Sequence, residues 1–93
     1  MVFEKQEMKL SEARILVYLS QVDKPFKFAR MISTKLEIGY NYTLEILKSM
    51  IEKGWLSVEL DCTKKYYSVK QISLIIIAKE LIKRGRQSKL PAE

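Results

Sequence analysis

Apolar positions recur at helical spacing in four stretches of the chain and alternate in a fifth. Over residues 10–22, LSEARILVYLSQV sets Ala13, Ile15, Leu16 and Leu19 on one stripe, the pattern of an amphipathic helix. Ser11 is the expected N-cap and Glu12 an acid in the first turn. Asp23-Lys24-Pro25 interrupts this stripe, because proline lacks a donor and restricts the residue before it. A second helix is predicted over about 27–36, burying Phe28, Met31, Ile32 and Leu36. Glu37-Ile38-Gly39 is then long enough only for a tight turn. Ile38 serves as the apolar plug that locks two steeply crossed helices.

The stretch 38–55, IGYNYTLEILKSMIEKGW, organises the rest. Thr43, Ile46, Leu47, Met50 and Ile51 share one face that must be buried, which turns Tyr40, Asn41, Tyr42, Glu45, Lys48, Ser49 and Glu52 outward. Gly54 supplies a left-handed C-cap, and beyond it the period changes from 3.6 to 2. In WLSVELDCTKKYYSVK, Leu56, Val58 and Leu60 fall on one face and Tyr67 and Val69 on the returning strand. Asp61-Cys62-Thr63-Lys64 is the short turn of a β-hairpin. A last helix over about 73–84 carries Leu74, Ile75, Ile76, Ile77, Ala78, Leu81 and Ile82, more apolar surface than one side of a small core uses. It is expected to bury one face on its own domain and the other, through Leu74, Ile76, Ile77 and Leu81, on the same helix of a second copy. Past Gly85 the polar tail, 86–93, is expected to be mobile. Residues 1–9 either extend the first helix or lie across a neighbouring subunit.

Composition narrows the function. Ninety-three residues make a single domain, near the lower limit for a self-sufficient core. With 47% hydrophobic and 30% charged residues the chain reads as folded and soluble. A net charge of +6 favours polyanions, nucleic acid above all. Histidine is absent and Cys62 is the single cysteine, so no zinc site or intrachain disulfide can be assembled. Cys62 is read as a free thiol, the alternative being a bridge to its twin across a dimer axis. ISLIIIA is too short to span a bilayer, and the N-terminus lacks the order of a signal peptide, so a cytoplasmic, membrane-free protein is expected. One asparagine, ten isoleucines and thirteen lysines lean toward a thermophilic source. No catalytic constellation or glycine-rich phosphate loop can be named, so neither enzyme activity nor a cofactor is expected.

The outward face of the 38–55 segment is suited to enter a DNA groove end-first. Asn41 can bond adenine in bidentate fashion, Glu45 can accept from cytosine, and Tyr40 and Tyr42 can reach phosphates or pack on a thymine methyl. Lys48 and Ser49 extend this surface, Lys48 toward phosphate. Lys64 and Lys65 at the hairpin are phosphate or minor-groove candidates, and Lys27 and Arg30 are further phosphate candidates. Trp55 and Tyr67 belong in the core. Lys83, Arg84, Arg86 and Lys89 either stabilise a helix C-terminus or meet a partner.

Helix, helix, turn, helix, hairpin, helix, in this order, resembles the winged-helix family of prokaryotic DNA-binding proteins, including the PadR-like and MarR-like regulators. The resemblance covers about 10–84. It rests on the plug Ile38 followed by GYNYTLEILKSMI and Glu52-Lys53-Gly54-Trp55, and on Lys64-Lys65-Tyr66-Tyr67-Ser68-Val69 as the wing. It implies an α+β, mostly α fold with a wing, a winged-helix core over about 10–70 and a dimerisation helix over about 72–85. The family usually has glycine where Glu37 stands and a β-branched aliphatic where Thr43 stands, whereas Ser33 keeps the small residue expected where the third helix crosses the second. Length, order and the oily last helix also resemble the small winged-helix partition proteins of archaeal plasmids. That resemblance implies spreading on DNA and a second protein of a partition complex. The expected function is therefore a DNA-binding homodimer, either a transcriptional regulator or a partition protein. The alternative is a winged-helix module for protein interaction alone.

Overall fold

The predicted periods resolve into α1 (Leu10–Gln21), α2 (Ala29–Leu36), α3 (Tyr40–Glu52), β1 (Leu56–Asp61), β2 (Lys64–Val69) and α4 (Ile72–Lys89), with a 3-10 turn at Lys24–Phe26. The computed structural model describes residues 8–89, so the expectation for the first seven residues lies outside the described ones. Ala13, Ile15, Leu16 and Leu19 of α1 are all buried. The N-cap is Lys9 and not Ser11. Glu12 reaches back to accept the Lys9 N–H at 2.9 Å, so the orphan donor is satisfied from within the first turn and a hydroxyl cap is not needed.

α2 begins two residues later than predicted. Pro25 is absorbed in the 3-10 turn, and Phe28 is extended at φ −119°, ψ 160°. The Lys27 carbonyl accepts the Tyr67 N–H at 2.8 Å, which ties this extended segment to the outer edge of β2. The later start changes the buried set: Ala29, Ile32 and Ser33 are buried, while Phe28, Met31 and Leu36 are half-buried. Phe28 instead meets the Tyr66 ring edge-on, with centroids 6.3 Å apart.

Glu37 adopts the left-handed conformation, φ 58° and ψ 47°, that the turn between α2 and α3 demands. The Ile38 N–H then bonds the Ser33 carbonyl at 3.0 Å, and the Arg14 guanidinium donates to the Leu36 carbonyl at 3.0 Å, so the end of α2 is satisfied despite the absent glycine. Thr43 is fully buried, and its hydroxyl donates to the Gly39 carbonyl at 2.8 Å. The threonine thus packs where an aliphatic is usual without leaving a polar atom unsatisfied. α3 closes on Gly54, φ +82°, through bonds from the Gly54 N–H to the Ile51 carbonyl and from the Trp55 N–H to the Met50 carbonyl, both 2.9 Å. This double bond pattern places the chain directly into β1.

β1 and β2 pair antiparallel from Leu56 opposite Val69 to Asp61 opposite Lys64, leaving Cys62 and Thr63 as the loop. Alternation along β1 does not become burial. Leu56 is buried, but Val58 and Leu60 are 46% and 67% exposed, because only the base of the hairpin reaches the core and its tip projects beyond the helices. Trp55 and Tyr67 are buried as expected.

α4 packs along α1 with Leu74 and Ala78 in the core. Leu74, expected on a subunit interface, is therefore committed to its own chain, and Leu81 is partly buried against the same core. Ile72, Ile76 and Ile77 are left exposed. The helix does not stop at Arg84 but runs through Gly85 to Lys89, a mid-helix glycine costing only ~1 kcal/mol relative to alanine. The first four residues of the tail expected to be mobile are thus helical, and 90–93 lie outside the described residues.

Candidate nucleic-acid interface

α3 lies across α2 with Thr43, Ile46, Leu47 and Met50 buried, so its opposite face is open. Tyr40, Asn41, Tyr42, Leu44, Glu45 and Lys48 are exposed and Ser49 is half-buried. Helical periodicity puts Asn41, Glu45, Lys48 and Glu52 along the centre of this arc, with Leu44 on one side and Tyr42 and Ser49 on the other. Each flank borders a depression. One, of ≈ 330 Å³, separates α3 from the hairpin and takes in Arg30, Tyr40, Leu44, Lys64 and Lys65. The other, of ≈ 150 Å³, runs between α3 and the start of α1, bordered by Lys9, Ser11, Tyr42, Glu45 and Ser49.

Aromatic rings set the cations of the first depression. The Arg30 guanidinium lies 4.1 Å from the centroid of the Tyr40 ring, and the Lys64 ammonium lies 4.8 Å from that of Phe28. Phe28 is in turn edge-on to Tyr66, and Lys24 stands over Tyr66 at 5.4 Å. A run of cation, ring, ring, cation thus joins the segment before α2 to the hairpin. Such stacking contributes about 0.5–1 kcal/mol per pair at exposed sites, enough to favour an orientation of the hairpin. Lys64 accordingly holds the hairpin as well as presenting charge, while Lys65, also exposed, borders the same depression.

Lys24 also neutralises the acidic strand, bonding Glu59 at 2.9 Å and approaching Asp61 to 3.7 Å. Hydrogen bonding to Glu59 raises its pKa above the ordinary lysine value. The charge of Glu59 is therefore compensated by Lys24 at the hairpin, and Asp61, at the longer distance from Lys24, also stands opposite Lys64 in the ladder. Burial pushes the Tyr67 hydroxyl up from its ordinary value, with a smaller contribution from neighbouring Tyr40.

Of the expected contact residues, Tyr40, Arg30, Lys64 and Lys65 are brought into one depression, and Tyr42, Glu45 and Ser49 border the other. Asn41 and Lys48 lie on the open arc between them. Lys27 is half-buried beside the hairpin, its carbonyl engaged by Tyr67. Lys53 is paired with buried Glu12 at 2.9 Å and stacked on Trp55. Leu44 had no assigned role in the sequence pattern, because it falls between the clearly inward and clearly outward positions. Among the described residues, no three or more Cys, Asp or Glu side chains are gathered closely enough to hold a metal ion, and no helix is long and apolar enough to cross a membrane.

No protein-family model matches the sequence, and no curated protein matches it. Solved structures do align with it. The crystal structure of a predicted DNA-binding transcriptional regulator from E. coli superimposes over 78% of this chain and 75% of its own, with TM-score 0.68 at 20% identity. MepR, a transcription regulator of the Staphylococcus aureus multidrug efflux pump MepA, superimposes over 94% of this chain and 67% of its own, with TM-score 0.73 at 13% identity. The four helices and two-stranded antiparallel hairpin, α+β and mostly helical, thus make the winged-helix fold that these two regulators share.

Proposed function

We propose that the chain is a transcription regulator that binds double-stranded DNA site-specifically as a homodimer, with the N-terminal half of α3 in the major groove and the wing on the backbone or in the minor groove. The observation that carries this reading is the depression shared by Arg30 and Tyr40 on one side and Lys64 and Lys65 on the other. A helix seated in a major groove has a phosphate backbone along each flank, and the cations stand on the flank between α3 and the wing. The surplus of six positive charges supplies the sequence-independent attraction. Dimerisation is supported by Ile72, Ile76 and Ile77, exposed on a helix that already buries its other side.

The test is a titration of labelled duplexes by fluorescence anisotropy at rising salt. A dimer touching roughly six to ten phosphates loses about three to five orders of magnitude in affinity between about 50 and 200 mM salt. A flat response would identify a protein-interaction module instead. Footprinting then separates two DNA-binding roles: a short protected palindrome is the result expected of a regulator, and a footprint that lengthens with concentration that of a partition coat.

A further inference from the structure

We infer that Leu44 is a specificity residue, an apolar side chain that packs on the C5-methyl of a thymine and commits the half-site to an A·T pair beside the one Asn41 reads. This rests on the DNA-binding reading above. Leu44 is 36% exposed on α3 and is not among the partly buried apolar residues packed against the core. Ile51, also at the margin of the buried face, is packed against it. Folding alone therefore does not account for a large aliphatic at position 44. It lies one turn beyond Tyr40 and three residues after Asn41, on the edge of the open arc that borders the depression shared with Arg30, Lys64 and Lys65. A duplex that takes α3 into its major groove, with the wing on its backbone, covers it.

The chemistry of the surrounding face selects the base. Guanine is most often read by a bidentate arginine or lysine; α3 contains no arginine, and its single lysine, Lys48, lies a full turn beyond Leu44. Arg30, the nearest arginine, has its guanidinium against the Tyr40 ring. Asn41 pairs with the N6 and N7 of adenine, and the groove-side group that an apolar residue can recognise is the thymine methyl. Asn41 and Leu44 are thus complementary readers of A·T pairs, one by hydrogen bonds and one by apolar packing.

The experiment uses duplexes selected from a randomised pool by the full chain at one salt concentration, then resynthesised with each thymine in turn replaced by uracil. Removal of one methyl from a buried contact weakens wild-type binding about fourfold at one position of each half-site. Leu44→Ala should bind the thymine duplex more weakly and lose that discrimination, whereas Leu44→Met, which retains an apolar side chain of similar size, should keep part of it. Circular dichroism and thermal melting establish that both variants are folded. Equal wild-type affinity for every uracil duplex, a selected site without a fixed A·T pair, or a Leu44→Ala variant that still distinguishes uracil from thymine would each overturn the inference while leaving DNA binding intact. Failure to bind any duplex at low salt would instead overturn the DNA-binding reading.

Discussion

The ammonium of Lys53 donates to the carboxylate of Glu12 at 2.9 Å, across 41 positions of sequence, and joins the start of α1 to the end of α3. Glu12 is 2% exposed, and its other oxygen accepts the Lys9 N–H. The same ammonium also lies over Trp55, 4.4 Å from the ring centroid. The pair therefore fixes the angle at which the proposed recognition helix leaves the body of the domain.

Removing one partner of this pair should cost more than removing the charge from the other. Lys53→Met leaves a buried carboxylate with a single donor and is expected to lower stability by about 1–3 kcal/mol, less than for a wholly buried pair because Lys53 is partly solvated. Glu12→Gln keeps an acceptor for Lys9 and frees Lys53 to reach solvent, so about 1 kcal/mol is expected. Urea unfolding of both single variants and the double variant checks this, and the double variant should lose less than the sum. Strict additivity would show that the two side chains do not stabilise each other.

Glu37 offers a second test, of the turn that sets α2 against α3. A non-glycine residue at φ 58° carries a strain of roughly 1–2 kcal/mol, while glycine there gives back about 0.4–1 kcal/mol through the unfolded chain. Glu37→Gly should therefore be mildly stabilising, by roughly 0.5 kcal/mol, and Glu37→Val, β-branched and intolerant of positive φ, destabilising. The midpoints of urea unfolding order the three proteins. A Glu37→Val variant as stable as wild type would mean that the turn is not left-handed in solution.

Where burial follows from one period, the sequence is a sufficient guide. Thr43, Ile46, Leu47 and Met50 are buried as their spacing dictates, and Gly54 ends α3 because the left-handed cap is open to glycine without cost. The same reasoning places Asn41 and Lys48 outward. It fails where a tertiary partner overrides local chemistry. Glu12 is charged yet buried, because a lysine from another element neutralises it. Val58 and Leu60 alternate correctly yet remain exposed, because the hairpin outreaches the core it would pack on. Leu74 is indistinguishable from Ile76 in the sequence, and only the seating of α4 on α1 assigns one to the core and the other to the surface. The depression between α3 and the wing joins residues 28–30, 40, 44, 63–65 and 67, a combination that no linear pattern contains.

That division along α4 gives a prediction for assembly. Ile76 is 63% exposed in the protomer, so Ile76→Lys should leave the fold intact while placing a charge in the proposed dimer interface, where desolvating it is unfavourable. Light scattering at micromolar concentration should report a dimer for wild type and a monomer for the variant, with unchanged circular dichroism. Leu74→Lys, by contrast, buries the charge within the chain and should unfold it. If wild type is itself monomeric, the exposed isoleucines do not form the interface.

Asn41 separates reading from holding. It lies on the open arc of α3 within the first turn, the part of a recognition helix that meets base edges, and in a dimer the two such helices should sit about one DNA turn, ~34 Å, apart. A bidentate bond to adenine contributes about 1–3 kcal/mol of discrimination, so Asn41→Ala should lose that amount on the selected site and much less on scrambled duplex. Lys65→Ala, acting on phosphate, should weaken both duplexes alike and reduce the salt slope by about one for each phosphate that the lysine no longer neutralises. The measurement is a titration of the three proteins against both duplexes at several salt concentrations. Equal losses for Asn41→Ala on the two duplexes would mean that Asn41 grips the backbone, and base reading would then have to be assigned elsewhere on the arc.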